Sequence, residues 1–240
     1  MILKLNSQDL FSTLRQDFRF LEGLKACINC GICTAICPAA EFYDYDPRII
    51  ATTVQSKDNH LIENLLKSEI IWYCGECLSC KTRCPRNNTP GYIIQALRAL
   101  SIQLGYFVEN ESGRQQLAIK RITGEHILKY GYCVYIDEID TEKYPEQGPI
   151  WDWIQKNKEK VMERLNANYK GKGAGALRNI SEQSLIDLQK IFDATGATRR
   201  FQQIEDFSKQ MSEKQNIQFS EGTDNSYFKN IYENLSENDE

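Results

Sequence analysis

Cys27-Ile28-Asn29-Cys30-Gly31-Ile32-Cys33-Thr34-Ala35-Ile36-Cys37-Pro38 and Cys74-Gly75-Glu76-Cys77-Leu78-Ser79-Cys80-Lys81-Thr82-Arg83-Cys84-Pro85 follow one spacing, C-x2-C-x2-C-x3-C-P, written twice. They use eight of the nine cysteines, and only Cys133 lies elsewhere. The opening residues, Met1 to Asp9, hold no apolar run of the roughly 7 to 15 residues that a secretory signal requires. Cysteines clustered in this way in such a chain read as metal ligands rather than as a disulfide framework.

Three cysteines at successive three-residue steps wrap a tight loop around one iron-sulfur cubane and offer a thiolate to three of its irons. The fourth cysteine does not easily reach the same cubane. In two-cluster ferredoxins with this run it ligates the other cluster, and the following proline turns the chain away. The spacing therefore predicts two 4Fe-4S clusters with crossed ligation: Cys27, Cys30, Cys33 and Cys84 on the first, and Cys74, Cys77, Cys80 and Cys37 on the second. Two four-cysteine zinc sites would use the same thiolates. Zinc accounts neither for the third cysteine at the same step nor for the repeated Cys-Pro, so the cluster reading is preferred.

The 36 residues between Cys37 and Cys74 read as helix, not as the β-rich connection of a compact bacterial ferredoxin. Asp46-Pro47 supplies an N-cap followed by proline at the first helical position. Ile49, Ile50 and Val54 follow at helical spacing, and Leu61, Ile62, Leu65, Leu66 and Ile70 to Trp72 continue the stripe. Upstream, Leu10, Phe11, Leu14, Phe18 and Leu21 form another. Thr89-Pro90 opens a helix whose Ile93, Ile94, Leu97, Leu100 and Leu104 share a face, with Gly105 at its C′ position. These are core faces that keep the clusters dry. The predicted class is mainly α: a helical two-cluster domain over residues 1–105 and a mostly helical, acidic extension over 106–240.

The whole chain carries 29 Lys and Arg against 33 Asp and Glu, with a pI near 5.4. A duplex nucleic-acid binder needs a basic face, which this balance does not provide. No apolar run approaches the roughly 18 to 20 residues of a spanning helix. The expected location is the cytoplasm, with peripheral attachment to an anchored partner as the other reading. Net charge moves from +1 over residues 1–105 to −5 beyond them, which marks the boundary. Lys81, Arg83 and Arg86 surround the second run, whereas Glu41, Asp44 and Asp46 follow the first. Cations stabilise the reduced, more negative cluster, so the second is expected to have the higher potential.

Beyond Tyr106, Tyr132 to Ile136 read as a short strand, with Cys133 as a small buried hydrophobe. Asp137, Glu138, Asp140 and Glu142 read as a solvated or partner-facing loop. Pro149 precedes Trp151, Trp153, Ile154, Val161 and Leu165, as in one helix. Ser181 caps another that carries Leu185, Leu188, Ile191 and Phe192 and ends at Gly196. Gly171-Lys172-Gly173-Ala174-Gly175-Ala176 matches a phosphate-binding G-x-G-x-x-G/A, but it follows a helix-like stretch and is read as a linker. Tyr227, Phe228, Ile231, Tyr232 and Leu235 would form one apolar helical face, either a docking segment or a helix packed on its own domain.

Cys27 to Pro38 and Cys74 to Pro90, above all Cys84-Pro85-Arg86 followed by Pro90, resemble the C subunit of heterodisulfide reductase, a helical ferredoxin with two 4Fe-4S clusters. The resemblance covers roughly residues 1–105, and iron-sulfur subunits of the glycolate oxidase and succinate dehydrogenase types are similar. It implies an electron wire between a flavoprotein, the family's A component, and a catalytic B component that bears cysteine-rich CCG motifs. This chain has no adjacent Cys-Cys pair, no spare nucleophile pair and no flavin fingerprint, so substrate chemistry is expected elsewhere. The alternatives are an iron-sulfur subunit of a quinone-linked respiratory complex, and a non-redox module stapled by metal; two sites in series favour the wire, because a staple needs only one. Crossed ligation has a direct consequence: Cys37→Ser should remove the second cluster and spare the first, and loss of the first in iron analysis and EPR would contradict it.

Overall fold

Asp17, Asp46 and Asp58 start three helices by the same device. Each side chain accepts hydrogen bonds from amide groups of the first turn: Arg19 for Asp17, Arg48 and Ile49 for Asp46, His60 and Leu61 for Asp58. The computed structural model describes residues 9–138, 141, 148–223 and 226–233, the last two of these by backbone alone. Among the described residues the chain is helical and contains no strand.

The chain divides into two compact units, Met1–Arg114 and Gln115–Glu240. The first contains α1 (Leu10–Leu14), α2 (Phe18–Gly23), α3 (Ile32–Ala35), α4 (Ala39–Phe42), α5 (Pro47–Gln55), α6 (Asn59–Lys67), α7 (Ser79–Arg83), α8 (Pro90–Leu104) and α9 (Glu111–Arg114). The long helix α8 is the spine, packed against α2, α5 and α6, while the short α3 and α7 meet each other. Ile50, Val54, Ile62, Leu66, Ile93, Ile94 and Leu97 are fully removed from water at their junction. Each such side chain contributes about 1.5–3 kcal/mol.

The division falls after Arg114 rather than at Gly105, because the chain beyond α8 turns back onto the same core. Phe107 is fully buried, and the Asn110 amide donates to the Lys67 carbonyl at 3.0 Å. Two residues of the upstream stripe also depart from the expected core: Phe18 is 73% exposed, whereas Phe20 is 3% exposed, and Leu21 stands out beside Phe18. The helical phase is lost between Leu14 and Asp17, and the new helix at Phe18 starts on a different face. Ile49 and Leu61 likewise face solvent.

The second unit contains α10 (Gln116–Ile119), a π-helical turn at Lys120–Gly124, α11 (Glu125–Tyr130), α12 (Pro149–Lys156), α13 (Lys158–Arg164), α14 (Glu182–Thr195), α15 (Ala197–Gln215) and α16 (Ser226–Glu233). Its centre is the buried Arg121 guanidinium, which donates to Glu205 at 2.9 and 2.7 Å and to the Ser220 carbonyl at 2.7 Å. Burial alone would raise Glu205, but Arg121 and Lys120 hold its carboxyl below the usual range. Ser181 caps α14 and Gly196 ends it in the left-handed conformation, as the sequence predicts. Tyr227, Phe228 and Ile231 are buried inside the chain, in keeping with a helix packed on its own domain; Leu235 lies outside the described residues.

Three expectations are corrected here. Tyr132 to Ile136 form no strand: Tyr135 stacks on Tyr130 with centroids 4.0 Å apart, and Ile136–Glu138 is a 3-10 turn. Cys133 is exposed rather than buried. The helix expected from Pro149 to Leu165 breaks at Asn157, whose side-chain amide donates to the Trp153 carbonyl at 2.9 Å. In the acidic run, Asp137 is held by Lys158, Lys170 and Tyr169, and Asp140 and Glu142 lie outside the described residues. Residues 171–176 are irregular, and the Asn168 amide donates to the Lys172 and Ala174 carbonyls at 3.1 and 2.9 Å.

The spine depends on one close approach. A Cβ at Gly23 would stand 2.9 Å from both Cγ1 and the backbone N of Ile93. Gly23→Ala should therefore push α2 away from α8 and destabilise the first unit by about 1–3 kcal/mol, read as a lower thermal midpoint. An unchanged midpoint would show that the contact relaxes freely.

Candidate metal centres

The two cysteine runs have the same backbone conformation. In the first, Asn29 and Gly31 have φ values of 58° and 80°; in the second, Glu76 and Leu78, at the same loop positions, have 53° and 58°. These left-handed steps curl each loop over its first sulfur, so that the Asn29 amide donates to Cys27 Sγ and the Glu76 amide to Cys74 Sγ, both at 3.4 Å. Leu78 takes this conformation at a cost of about 1–2 kcal/mol. The end of its side chain lies 2.9 Å from where a Cβ at Gly91 would stand, so a larger residue there would make the Leu78 methyl shift.

The loops close around two recesses. One, of about 380 Å³, is lined by Cys27, Cys30, Cys33 and Cys84 together with Arg48, Arg86 and Asn88. The other, of about 370 Å³, is lined by Cys37, Cys74, Cys77 and Cys80 together with Tyr45, Ser79 and Gly91. Each recess thus gathers three cysteines of one run and the fourth of the other. Among the described residues no three or more Cys, His, Asp or Glu converge as ligands of a single ion. Around one zinc the four sulfurs would stand about 3.8 Å apart. Eight thiols spread over two recesses fit two cubanes, which need sulfur donors at four separated irons.

The recesses meet at a shared wall to which consecutive residues contribute. Pro47 faces the second and Arg48 the first at the start of α5; Pro90 faces the first and Gly91 the second at the start of α8. Neighbouring Cα atoms are about 3.8 Å apart, so the two cavities are close neighbours. Both helices direct their N-termini at this wall, where roughly half a positive charge favours an anionic group.

Polar side chains fix the ligand loops. Gln55 brackets Cys27, accepting from its amide at 2.6 Å and donating to its carbonyl at 3.1 Å. Asn88, 2% exposed, accepts from the Lys25 amide at 2.6 Å and donates to the Ala26 carbonyl, while its own backbone N–H reaches Cys84 Sγ at 3.3 Å. Arg98 donates to the carbonyls of Ile71, Trp72 and Cys74 at 2.7–2.8 Å and pairs with Glu76. None of these three has a spacing signal in the sequence, because each acts on backbone far away along the chain.

Burial pushes the Cys33 thiol up to about 11 and raises Cys74 and Cys80 as well. The Ser79 hydroxyl, 3.4 Å from Cys77 Sγ, holds that thiol below the usual range. Ligation must therefore displace protons from the buried thiols, as iron binding does.

The structure distributes the cations differently from the two runs of sequence. Arg86 follows Cys84 into the first recess, where Arg48 also stands, although Asp46 pairs with Arg48 at 2.7 Å. Lys81 and Arg83 do not line the second recess.

The 4Fe-4S dicluster domain matches residues 23–88, the span that holds both runs. The protein is a helical protein with two 4Fe-4S clusters. Over 80% of its length it is 36% identical to the C subunit of the ferredoxin:CoB-CoM heterodisulfide reductase of Methanosarcina acetivorans, covering 70% of that protein. It is 29% identical to the second iron-sulfur C subunit of the CoB--CoM heterodisulfide reductase of Methanocaldococcus jannaschii, over 59% of this chain and 72% of that one. The chain belongs to the family of heterodisulfide reductase C subunits. Among the described residues no helix is long and apolar enough to cross a membrane.

Among the described residues Arg86 has no carboxylate partner at the first recess, so the cluster seated there should titrate at the higher potential. Arg86→Gln should lower that midpoint and leave the other in place, as read by EPR-monitored redox titration. Equal midpoints in the native protein, or a shift confined to the second cluster, would contradict this.

Proposed function

We propose that this chain is an electron-transfer subunit of a heterodisulfide-reductase-like complex, relaying electrons between a flavoprotein of the family's A type and a catalytic partner of its B type that bears CCG motifs. The observation that carries the reading is the pair of four-cysteine recesses lined on their shared side by consecutive residues. When bound, each 4Fe-4S cluster accepts and returns one electron at an almost fixed geometry.

We assign Cys27, Cys30, Cys33 and Cys84 to the first cluster and Cys37, Cys74, Cys77 and Cys80 to the second. Every clustered thiolate is then a ligand, which leaves no open iron site and no free nucleophile pair for substrate chemistry. The chain's own residues have three tasks. Cysteines from both runs fix the two sites in one frame, Gln55, Asn88 and Arg98 hold the loops, and Ile50, Ile94 and their neighbours keep water from the inner side. A rigid, partly dry setting limits reorganisation on electron transfer.

Anaerobic affinity purification from the native host tests the proposal. The expected result is about eight irons and matching labile sulfide per chain, with a flavoprotein and a CCG-bearing chain co-purifying. A membrane-anchored protein or a flavin dehydrogenase in their place would favour the glycolate oxidase, succinate dehydrogenase or quinone-linked reading.

A further inference from the structure

Tyr45 is 3% exposed and sits in the connection between α4 and α5. Its ring packs edge-on to Tyr73 with centroids 6.5 Å apart, and Tyr43 stacks on Tyr73 at 4.4 Å. Tyr73 is anchored in turn through its hydroxyl to Glu69. The Tyr45 ring is therefore held in one orientation. Its hydroxyl is shut off from water and makes no hydrogen bond of full geometry among the described residues; the polar group it faces is the Cys74 sulfur.

A buried tyrosine hydroxyl almost always finds a partner. Tyr45 lines the second recess beside Cys37 and Cys74. A phenol is protonated at neutral pH, so the Tyr45 hydroxyl is a donor. The first recess has no tyrosine; Asn88 and two arginines stand there instead.

We propose that the Tyr45 hydroxyl donates a hydrogen bond to the sulfur of the second cluster's Cys74 thiolate and thereby sets that cluster's potential. The assignment rests on the cluster reading above. A hydrogen bond to sulfur withdraws charge and favours the reduced cluster. Tyr45 is thus a positioning and tuning residue, not a ligand.

The test is an anaerobic, EPR-monitored redox titration of the full chain with both clusters present. Tyr45→Phe keeps the ring and should lower the second midpoint, leaving the first midpoint and the iron and sulfide content unchanged. Difluorotyrosine at position 45, a stronger donor, should raise the same midpoint. Opposite shifts at one cluster are not produced by a change in packing. Two clusters present with both midpoints unmoved, shifts of the same sign, or loss of the second cluster in the phenylalanine variant would overturn the role of Tyr45. A native chain without iron and sulfide would instead overturn the cluster reading itself.

Discussion

Cys37 lines the recess of the second run and Cys84 that of the first, and the rest of the first unit is arranged around that exchange. Each run supplies three sulfurs to its own recess and sends the fourth across to the other. Under the proposed ligand assignment, two loops tied in this way would not separate without opening both sites, which would make the metal chemistry and the tertiary fold one constraint. The helices are arranged around it: α5 and α8 start at the wall between the recesses, and their apolar faces form the core that seals the inner side.

The two halves are alike in backbone and unlike in chemistry. Both loops use left-handed residues at the same two positions, and both place an amide on the first sulfur. The surroundings differ: arginines and Asn88 at one recess, Tyr45, Ser79 and Gly91 at the other. A relay with two identical stations has no built-in preference for where the electron rests. Under the relay reading, different neighbours would set the two stations at different potentials.

Much of this was legible from the sequence because cluster ligation acts through local spacing. The C-x2-C-x2-C-x3-C-P runs dictated the loops and the crossing, and Asp46-Pro47 and Thr89-Pro90 marked the helices that form the shared wall. Phe18 and Leu21 were misplaced because an apolar stripe carries no record of a broken helix between Leu14 and Asp17. Arg86 was placed at the wrong recess although the signal was present: it lies two residues after Cys84 and must follow that cysteine across. Tyr45, Gln55 and Arg98 carried no local signal, since a lone tyrosine, glutamine or arginine acquires its role only from partners distant in the chain. In the second unit, Tyr132 to Ile136 had the residues of a strand but no strand to pair with among the described residues.

Iron anomalous diffraction from crystals of the anaerobically purified, cluster-loaded chain tests the central claim most directly. The account predicts two separate four-iron centres, with Cys84 Sγ bonded at the centre of Cys27, Cys30 and Cys33 and Cys37 Sγ at that of Cys74, Cys77 and Cys80. Cys37 bonded to the centre of its own run, or one metal ion in either recess, would contradict it.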